Sequence, residues 1–538
     1  MQYFLSSMET HCSYIPYHQT GYFSKLVTDY LNNAPQLQPF YNLPPTIEGL
    51  KQSIKARQHF MHREILVETL QKQYGSLPVH EKVSANLQSI LNESTFTVTT
   101  AHQANIFTGP LYVVYKIFHA IKLAEELKQQ FPHYHFVPVY FMGSEDADLE
   151  ELNHITINQR KYVWQTKQTG AVGRMKVDKQ LMQLMNEMEG QLSVLPYGNE
   201  FMKLLRDGYK EKSTLQQASL NVLNALFGEY GLVVLIPDNV VFKKLFQPVL
   251  EKELKEQFSY KAVRSTAQKL EEHYKVQASG RAVNLFYLID DKRERIELEN
   301  GKFKVAGLQR EWTQAEILKE LDEHVERFSP NVILRGVLQE TILPNIAFIG
   351  GGGELAYWLE LKEVFKEAGV PYPVLLLRNS FLWIEKKNAD KIKRMQFSEQ
   401  DVFKDEHTLM KVYTEKHSEN KTDLNGEFAE AEYLYNKISA AASKIDTTLS
   451  QHINALKTKT LNGLAELEKK MLRAEKKKFV VEQQQINKIK SELFPVNSLQ
   501  ERVENIAGLY AAHGKGFLNN IYLHSATVQQ QFAIITSA

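Results

Sequence analysis

The sequence predicts an α/β protein: a parallel sheet covered by helices on both faces, followed by a long helical arm. Three observations lead there. Short, nearly continuous apolar runs such as Phe136 to Met142 and Pro373 to Leu377 alternate with helical periodicity, the signature of strands buried on both faces. Polar loops follow those runs at their carboxyl ends, where open α/β sheets bind ligands. From about residue 381 strand signals stop, and Lys, Glu, Gln and Ala dominate with apolar residues three and four apart.

Residues 1–90 read as mainly helical, broken by stretches such as Asn42-Leu43-Pro44-Pro45. A β-α-β unit follows. The strand Phe96 to Thr100 opens onto the loop Ala101 to Gly109, and a helix starts at Pro110. Leu111, Val114, Tyr115, Phe118, Ile121, Leu123 and Leu127 keep the 3.6-residue period. Thr108 and Gly109 suit the boundary, and proline is tolerated at the first helical position. Free N–H groups at that end would face the 102–109 loop and favour an anion. The next strand, 136–142, reads as a parallel neighbour and ends in the acidic loop Gly143-Ser144-Glu145-Asp146-Ala147-Asp148.

Residues 175–228 read as helical, 231–237 as a buried strand, and 238–330 as helix alternating with short strands, including 284–289. A second β-α-β unit comprises a strand at 345–349, the loop Gly350 to Gly353, a helix from Glu354 to Ala368, and a strand ending at Arg378. Beyond it, Phe428, Ala431, Tyr435, Ile438, Ala442, Ile445, Leu449, Ile453 and Leu456 form a heptad-like seam. A single helix over 428–494 would span about 100 Å, with the preceding segment folded back as a hairpin. The expected organisation is a core over 1–380 with helical insertions (its second half near 331–380), a helical domain over 381–495, and a helical segment over 496–538 returning to the core. The lysine run from Lys469 to Lys478 suits a solvated helix face or an anionic partner.

Composition narrows the function. Lys+Arg 64 against Asp+Glu 63 gives a formal charge of +1, so no nucleic-acid or membrane partner is expected. Cys12 is the only cysteine, which excludes an internal disulfide and a cysteine-rich zinc site. Met1 to Ser7 lacks a basic n-region, and no run approaches the roughly 18 apolar residues of a membrane span. A cytoplasmic protein is expected.

Several groups could carry chemistry. Crowded carboxylates at Glu145, Asp146 and Asp148 can hold an ammonium, bind a metal, or split their pKa values for acid–base work; His154 is close in sequence. The glycines allow positive φ and close backbone approach to a ligand, but they make neither a dinucleotide fingerprint nor a P-loop. Lys116, Arg335 and Arg378 are cations near element ends, suited to carboxylate or phosphate or to surface ion pairs. Tyr357 and Trp358 suit core packing or a ligand-stacking wall.

Four ordered blocks carry a resemblance: Ala101 to Tyr112 with Lys116; Gly143 to Asp148 with Asn153-His154; Leu343-Pro344 with Gly350 to Trp358; and Ser498-Leu499-Gln500-Glu501-Arg502. Together they resemble the BshC family of bacillithiol biosynthesis. This chain has Ala101-His102-Gln103 where the family commonly has Gly-Gln-Gln, Gly350 to Gly353 where it commonly has Gly-Gly-Pro-Gly, and Ala147 where histidine is frequent. The resemblance implies a Rossmann-like core with helical connecting insertions, plus a long antiparallel α-helical coiled coil that pairs two copies. It also implies a ligase joining cysteine to glucosaminyl malate; because an amine attacks a free carboxylate only after activation, ATP or ADP is the expected cofactor, and no metal is expected. His102, Glu145 and Asp146 are then the expected catalytic groups, Glu145 or Asp146 holding the cysteine ammonium or acting as base. Gln103, Asn105, Thr108, Gly109, Lys116 and His154 would line the substrate site, with Gly351, Gly352, Gly353, Glu354, Tyr357 and Trp358 opposite and Arg335 and Arg378 on the malate carboxylates. The core also looks distantly similar to class I aminoacyl-tRNA synthetases, although HxGH and KMSKS are not both present. The rival readings are another amino-acid-activating or nucleotidyl-transferase-like enzyme, and a non-catalytic dimeric scaffold.

Overall fold

Five parallel strands form the centre of the computed structural model, which describes residues 10–278 and 280–537. Met1 to Ser7, read above for a targeting signal, lies outside the described residues. Two compact units are present: residues up to Trp383 together with Ser498–Thr536, and Ile384–Asn497 with Ser537.

Across the sheet of the larger unit the strands run Val374–Leu377, Asn345–Gly350, Thr95–Gln103, His135–Gly143, Val233–Leu235. In chain order this is the doubly wound Rossmann arrangement. Thr95–Gln103 and His135–Gly143 are parallel neighbours, as expected, from Thr95↔His135 to Gln103↔Gly143. The chain then works outward to Val233–Leu235 and restarts on the other side of Thr95–Gln103 with Asn345–Gly350, where Ile349 pairs with Thr100. The topological switch point therefore lies between those two strands, not between the first two. The helices Ile47–Arg57 and Tyr112–Gln130 bury Leu50, Ile54, Ala120, Leu123 and Leu127 in one cluster with Phe96, Val98, Ile346 and Ile349.

A second sheet was not anticipated as such. Leu285–Ile289, Lys292–Glu299, Lys302–Val305, Arg310–Trp312 and Phe328–Pro330 form a five-stranded antiparallel sheet. The C-terminal segment, expected to be helical, also adds a strand, Phe532–Ser537, which lies between Thr10–Ile15 and Ser380–Ile384.

Two expected helices are divided. The 354–368 helix becomes Gly352–Trp358 and Lys362–Ala368. At the break the buried Glu360 carboxylate accepts the N–H groups of Gln277 (2.7 Å) and Ala278 (3.2 Å). The 428–494 helix becomes Asn425–Ala442, Leu449–Lys476 and Val480–Leu493. Asp446 makes the first break, its carboxylate accepting the Thr448 N–H at 2.8 Å in a turn. Phe479 makes the second: its backbone leaves the helical region and its ring packs 5.6 Å from Tyr413. Asn425–Ala442 and Leu449–Lys476 therefore form the antiparallel hairpin, closed by Tyr435 against Thr460 at 2.8 Å and Lys457 against Glu432 at 3.6 Å. No described helix is long and apolar enough to cross a membrane.

Candidate active site

Where the sheet switches direction, the carboxyl ends of Thr95–Gln103 and Asn345–Gly350 part and open into a cavity of about 820 Å³, within the size range of small-molecule sites. His102 and Gln103 form one edge and Gly351 to Glu354 the other. Tyr112 and Lys116 enter from the helix after the first strand, and Arg335 from Val332–Ile342. Phe286, Arg293 and Arg295 project in from the antiparallel sheet.

Lys116 is buried and pairs with Glu354, while its ammonium also donates to the Ala101 carbonyl at 2.8 Å. Glu354 in turn accepts the Gly351 N–H at 2.7 Å, closing the glycine loop. Burial lowers the Lys116 pKa, though Glu354 opposes it. His102 shares a hydrogen bond of 3.2 Å with the Tyr112 hydroxyl. Burial first, then Lys116, Arg335 and Arg378, hold its pKa well below the ordinary value, so the imidazole is neutral at pH 7 and acts as a hydrogen-bonding group.

Asp146 and Glu151 differ in electrostatics. Burial raises the Asp146 pKa most, but Arg335 at 3.3 Å, Arg293, the Asp148 N–H and Gln103 together outweigh it and leave it below the usual range. Glu151 has no ion-pair partner among the described residues; burial, then Asp146 and Asp148, push its pKa up. The Gln103 amide donates to both carboxylates, at 3.3 and 3.4 Å.

Several expectations are corrected. The helix begins at Tyr112 rather than Pro110, and its end does not face the cavity: the Leu111 N–H donates to the Glu504 carbonyl at 2.8 Å and the Val113 N–H to Pro110 at 3.0 Å. An anion cannot use donors already taken. Asn105, Thr108 and Gly109 belong to that packed turn, outside the cavity lining. Gly109 has φ 69°, and a side chain on it would start 2.8 Å from the Asn105 Cβ. Glu145 points away from the cavity to a buried pair with Lys243, and Ser329 donates to it at 3.1 Å. Both Glu145 and its neighbour Asp146 lie in the turn after Gly143, and of this loop's carboxylates only Asp146 lines the cavity. His154 is bonded to the Glu150 carbonyl at 3.1 Å and also lies outside the lining.

His102, Gln103, Lys116, Asp146, Arg335, Gly351, Gly352, Gly353, Glu354, Tyr357, Trp358 and Arg378 do come together. Their roles are refined by their contacts. None of the four glycines has positive φ; their use is space, since a Cβ on Gly350 would meet the Phe348 ring at 2.9 Å, whereas one on Gly353 would meet nothing within 4 Å. Trp358 stacks on Phe348 with centroids 4.2 Å apart and is a packing residue at the cavity edge. Arg378 is largely spent: it donates to Glu501 at 2.7 Å and to Asn379 and Ser380 at 3.0 Å.

Sequence reading missed Glu151, Arg281, Arg293, Arg295 and Arg502, all of which line the cavity. Arg293 and Arg295 alternate on a strand and so share a face, but nothing local says that this face covers the switch point. Arg502 stood in a recognised block without an assigned role.

Comparison with known proteins also divides the chain near residue 380. Residues 8–379 match "Bacillithiol biosynthesis BshC, N-terminal Rossmann-like domain", and residues 381–537 match "Bacillithiol biosynthesis BshC, C-terminal coiled-coil domain". The chain belongs to the BshC family. A relative from Flavobacterium psychrophilum, named "Putative cysteine ligase BshC", is 40% identical over 535 residues, covering 99% of this chain and 100% of its own length. The relative of the same name from Flavobacterium johnsoniae is 38% identical over 532 residues, covering 98% and 100%. That from Bacillus cereus is 26% identical over 514 residues, covering 92% and 95%. BshC membership thus agrees with the Rossmann strand order and the helical hairpin.

Proposed function

We propose that the chain is a cysteine ligase that joins the carboxyl group of L-cysteine to the amino group of glucosaminyl malate, the last step of bacillithiol biosynthesis. The observation that carries this reading is the charge of the cavity. Seven basic side chains line it (Lys116, Arg281, Arg293, Arg295, Arg335, Arg378, Arg502) against three acidic ones (Asp146, Glu151, Glu354). Such a site suits a substrate set rich in carboxylate and phosphate. An amine attacks a carboxylate only after activation. We therefore assign ATP as co-substrate: the cysteine carboxylate displaces pyrophosphate to give an acyl adenylate, or takes the terminal phosphoryl group to give an acyl phosphate and ADP. The glucosaminyl amine then expels AMP or phosphate and loses a proton. Purified protein given cysteine, glucosaminyl malate and ATP is expected to form the thiol product by mass spectrometry. Failure to form it, with amino-acid-dependent pyrophosphate exchange and transfer to a different acceptor, would replace this reading by the wider class of amino-acid-activating enzymes.

Glu151 is the carboxylate we assign to that proton, in place of Glu145 and Asp146. It has no cationic partner among the described residues, and its raised pKa brings it closer to neutrality. A general base works only when ionised, so the wild-type rate should fall as pH drops through its pKa. Glu151→Gln is expected to lose about 10²–10⁴-fold in rate together with that acidic limb. A variant that keeps both rate and limb refutes the assignment.

We also propose that two copies pair through the helical hairpin. Its apolar positions are poorly covered within one chain: Tyr433, Leu434, Ile438, Leu456 and Leu467 are all exposed, and in Leu449–Lys476 only Ile453 is buried. An exposed apolar stripe of this kind marks an association surface. Ile438→Lys with Leu456→Lys is expected to halve the mass measured by light scattering; a wild-type monomer would end the proposal.

A further inference from the structure

We propose that Arg293 and Arg295, held against Phe286 on the antiparallel sheet, form a subsite for a dicarboxylate, the malate end of the acceptor. This rests on the ligase reading and deepens it.

Of the seven basic groups facing the cavity, Lys116 pairs with Glu354, Arg335 with Asp146, Arg378 with Glu501 and Arg281 with Glu297. Arg293, Arg295 and Arg502 make no ion pair among the described residues. Arg295 and Arg502 are exposed to the cavity, and half-buried Arg293 feels Glu145 and Asp146 without direct contact, so all three keep donors for an anionic ligand. Two of the three are neighbours on one strand face: residues 293 and 295 sit two apart in Lys292–Glu299, and Arg295 is the cross-strand partner of Phe286.

Arg293 is also preorganised. The Arg293 guanidinium lies 3.7 Å from the centroid of the Phe286 ring, and that of Arg295 lies 5.7 Å from it. Arg293 spends Nε on the Ser329 hydroxyl and one terminal nitrogen on the Pro330 carbonyl, both at 3.2 Å, which leaves its other terminal nitrogen for a ligand. Arg295 is exposed and makes no hydrogen bond to the described residues that would have to break. The two guanidinium groups match two carboxylates, Arg295 through paired N–H donors and Arg293 through its remaining terminal nitrogen. The subsite belongs to an insertion outside the Rossmann sheet, so it can set the acceptor without touching the chemistry at the strand ends.

Phosphate groups share the same recognition chemistry, and the test separates the two. Glucosaminyl malate, its malate dimethyl ester, and ATP are each titrated calorimetrically into wild type, Arg295→Gln and the Arg293→Gln/Arg295→Gln pair, a readout independent of turnover. Acceptor affinity should fall about tenfold in the single variant and at least about 100-fold in the double, the ester should bind wild type as weakly as the acceptor binds the double variant, and ATP affinity should stay within twofold. Loss of ATP affinity with acceptor affinity intact would overturn the proposal in favour of a phosphate site; unchanged binding of both in folded variants would overturn it outright. If acceptor binding follows the expected pattern and no ligation occurs, the subsite stands and the ligase reading fails.

Discussion

Lys116→Met is expected to lower kcat for ligation at least about 100-fold, the scale on which removal of one preorganised electrostatic group acts in a desolvated site. Lys116 is buried, fixed by Glu354 and the Ala101 carbonyl, and reaches the cavity between the two strand ends. No other cation occupies that position: Arg378 is committed to Glu501, and Arg335 to Asp146. Methionine keeps the length and apolar stem and removes the charge. The fold should persist, because Glu354 retains the Gly351 N–H and its side chain has 23% exposure through which water can solvate it. Steady-state kinetics alongside circular dichroism melting tests this. A folded variant with kcat within threefold of wild type would show that Lys116 is merely the counter-ion of Glu354. Glu354→Gln completes the comparison, and a deficit much smaller than that of Lys116→Met is expected, since the ammonium then remains with a neutral partner.

The second large effect concerns stability. Glu340→Ala is expected to destabilise the larger unit by about 3–5 kcal/mol, the cost of leaving a buried ion-pair partner alone. Glu340 is fully buried and pairs with Arg57, which also donates to the Glu340 and Pro371 carbonyls at 2.8 Å. Its other oxygen accepts from Gln339 at 2.8 Å and Asn345 at 2.7 Å, and the Asn345 carbonyl accepts from Thr99 at 2.8 Å. One carboxylate thus ties the helices Ile47–Arg57 and Val332–Ile342 to the two strands that flank the switch point. The transition temperature by scanning calorimetry should fall by roughly 3–6 °C. A loss under about 1 kcal/mol would mean that water or a neighbour satisfies Arg57. The paired change Arg57→Met with Glu340→Leu should recover most of the loss, because removing both charges leaves none uncompensated.

How much of this was legible in the sequence varies from element to element. The strands His135–Gly143 and Asn345–Gly350 were readable because a strand buried on both faces is apolar nearly throughout, and Thr95–Gln103 because β-branched and aromatic residues crowd its first half. The antiparallel sheet was not, since Lys292–Glu299 is charged at most positions and carries little pattern. Near the site, loops could be located but their side chains could not be aimed. Glu145 and Asp146 are adjacent and chemically alike, yet one faces Lys243 in the interior and the other faces the cavity. The same limit applied to the helix after the first loop, whose amino end is capped by the Glu504 carbonyl, some 390 residues further on.

By itself, then, the order of residues determined which segments are the strands of the parallel sheet, which helix carries Lys116, that glycines follow the fourth parallel strand, and that a heptad seam lies near the end, because these follow from interactions between residues close along the chain. Only the tertiary structure decided that the crevice opens beside Asn345–Gly350, that Glu151 rather than Glu145 lacks a cation, and that Arg293 and Arg295 reach in from a separate sheet. Charge pairing and burial depend on distances between segments far apart in sequence, and those distances exist only once the chain has folded.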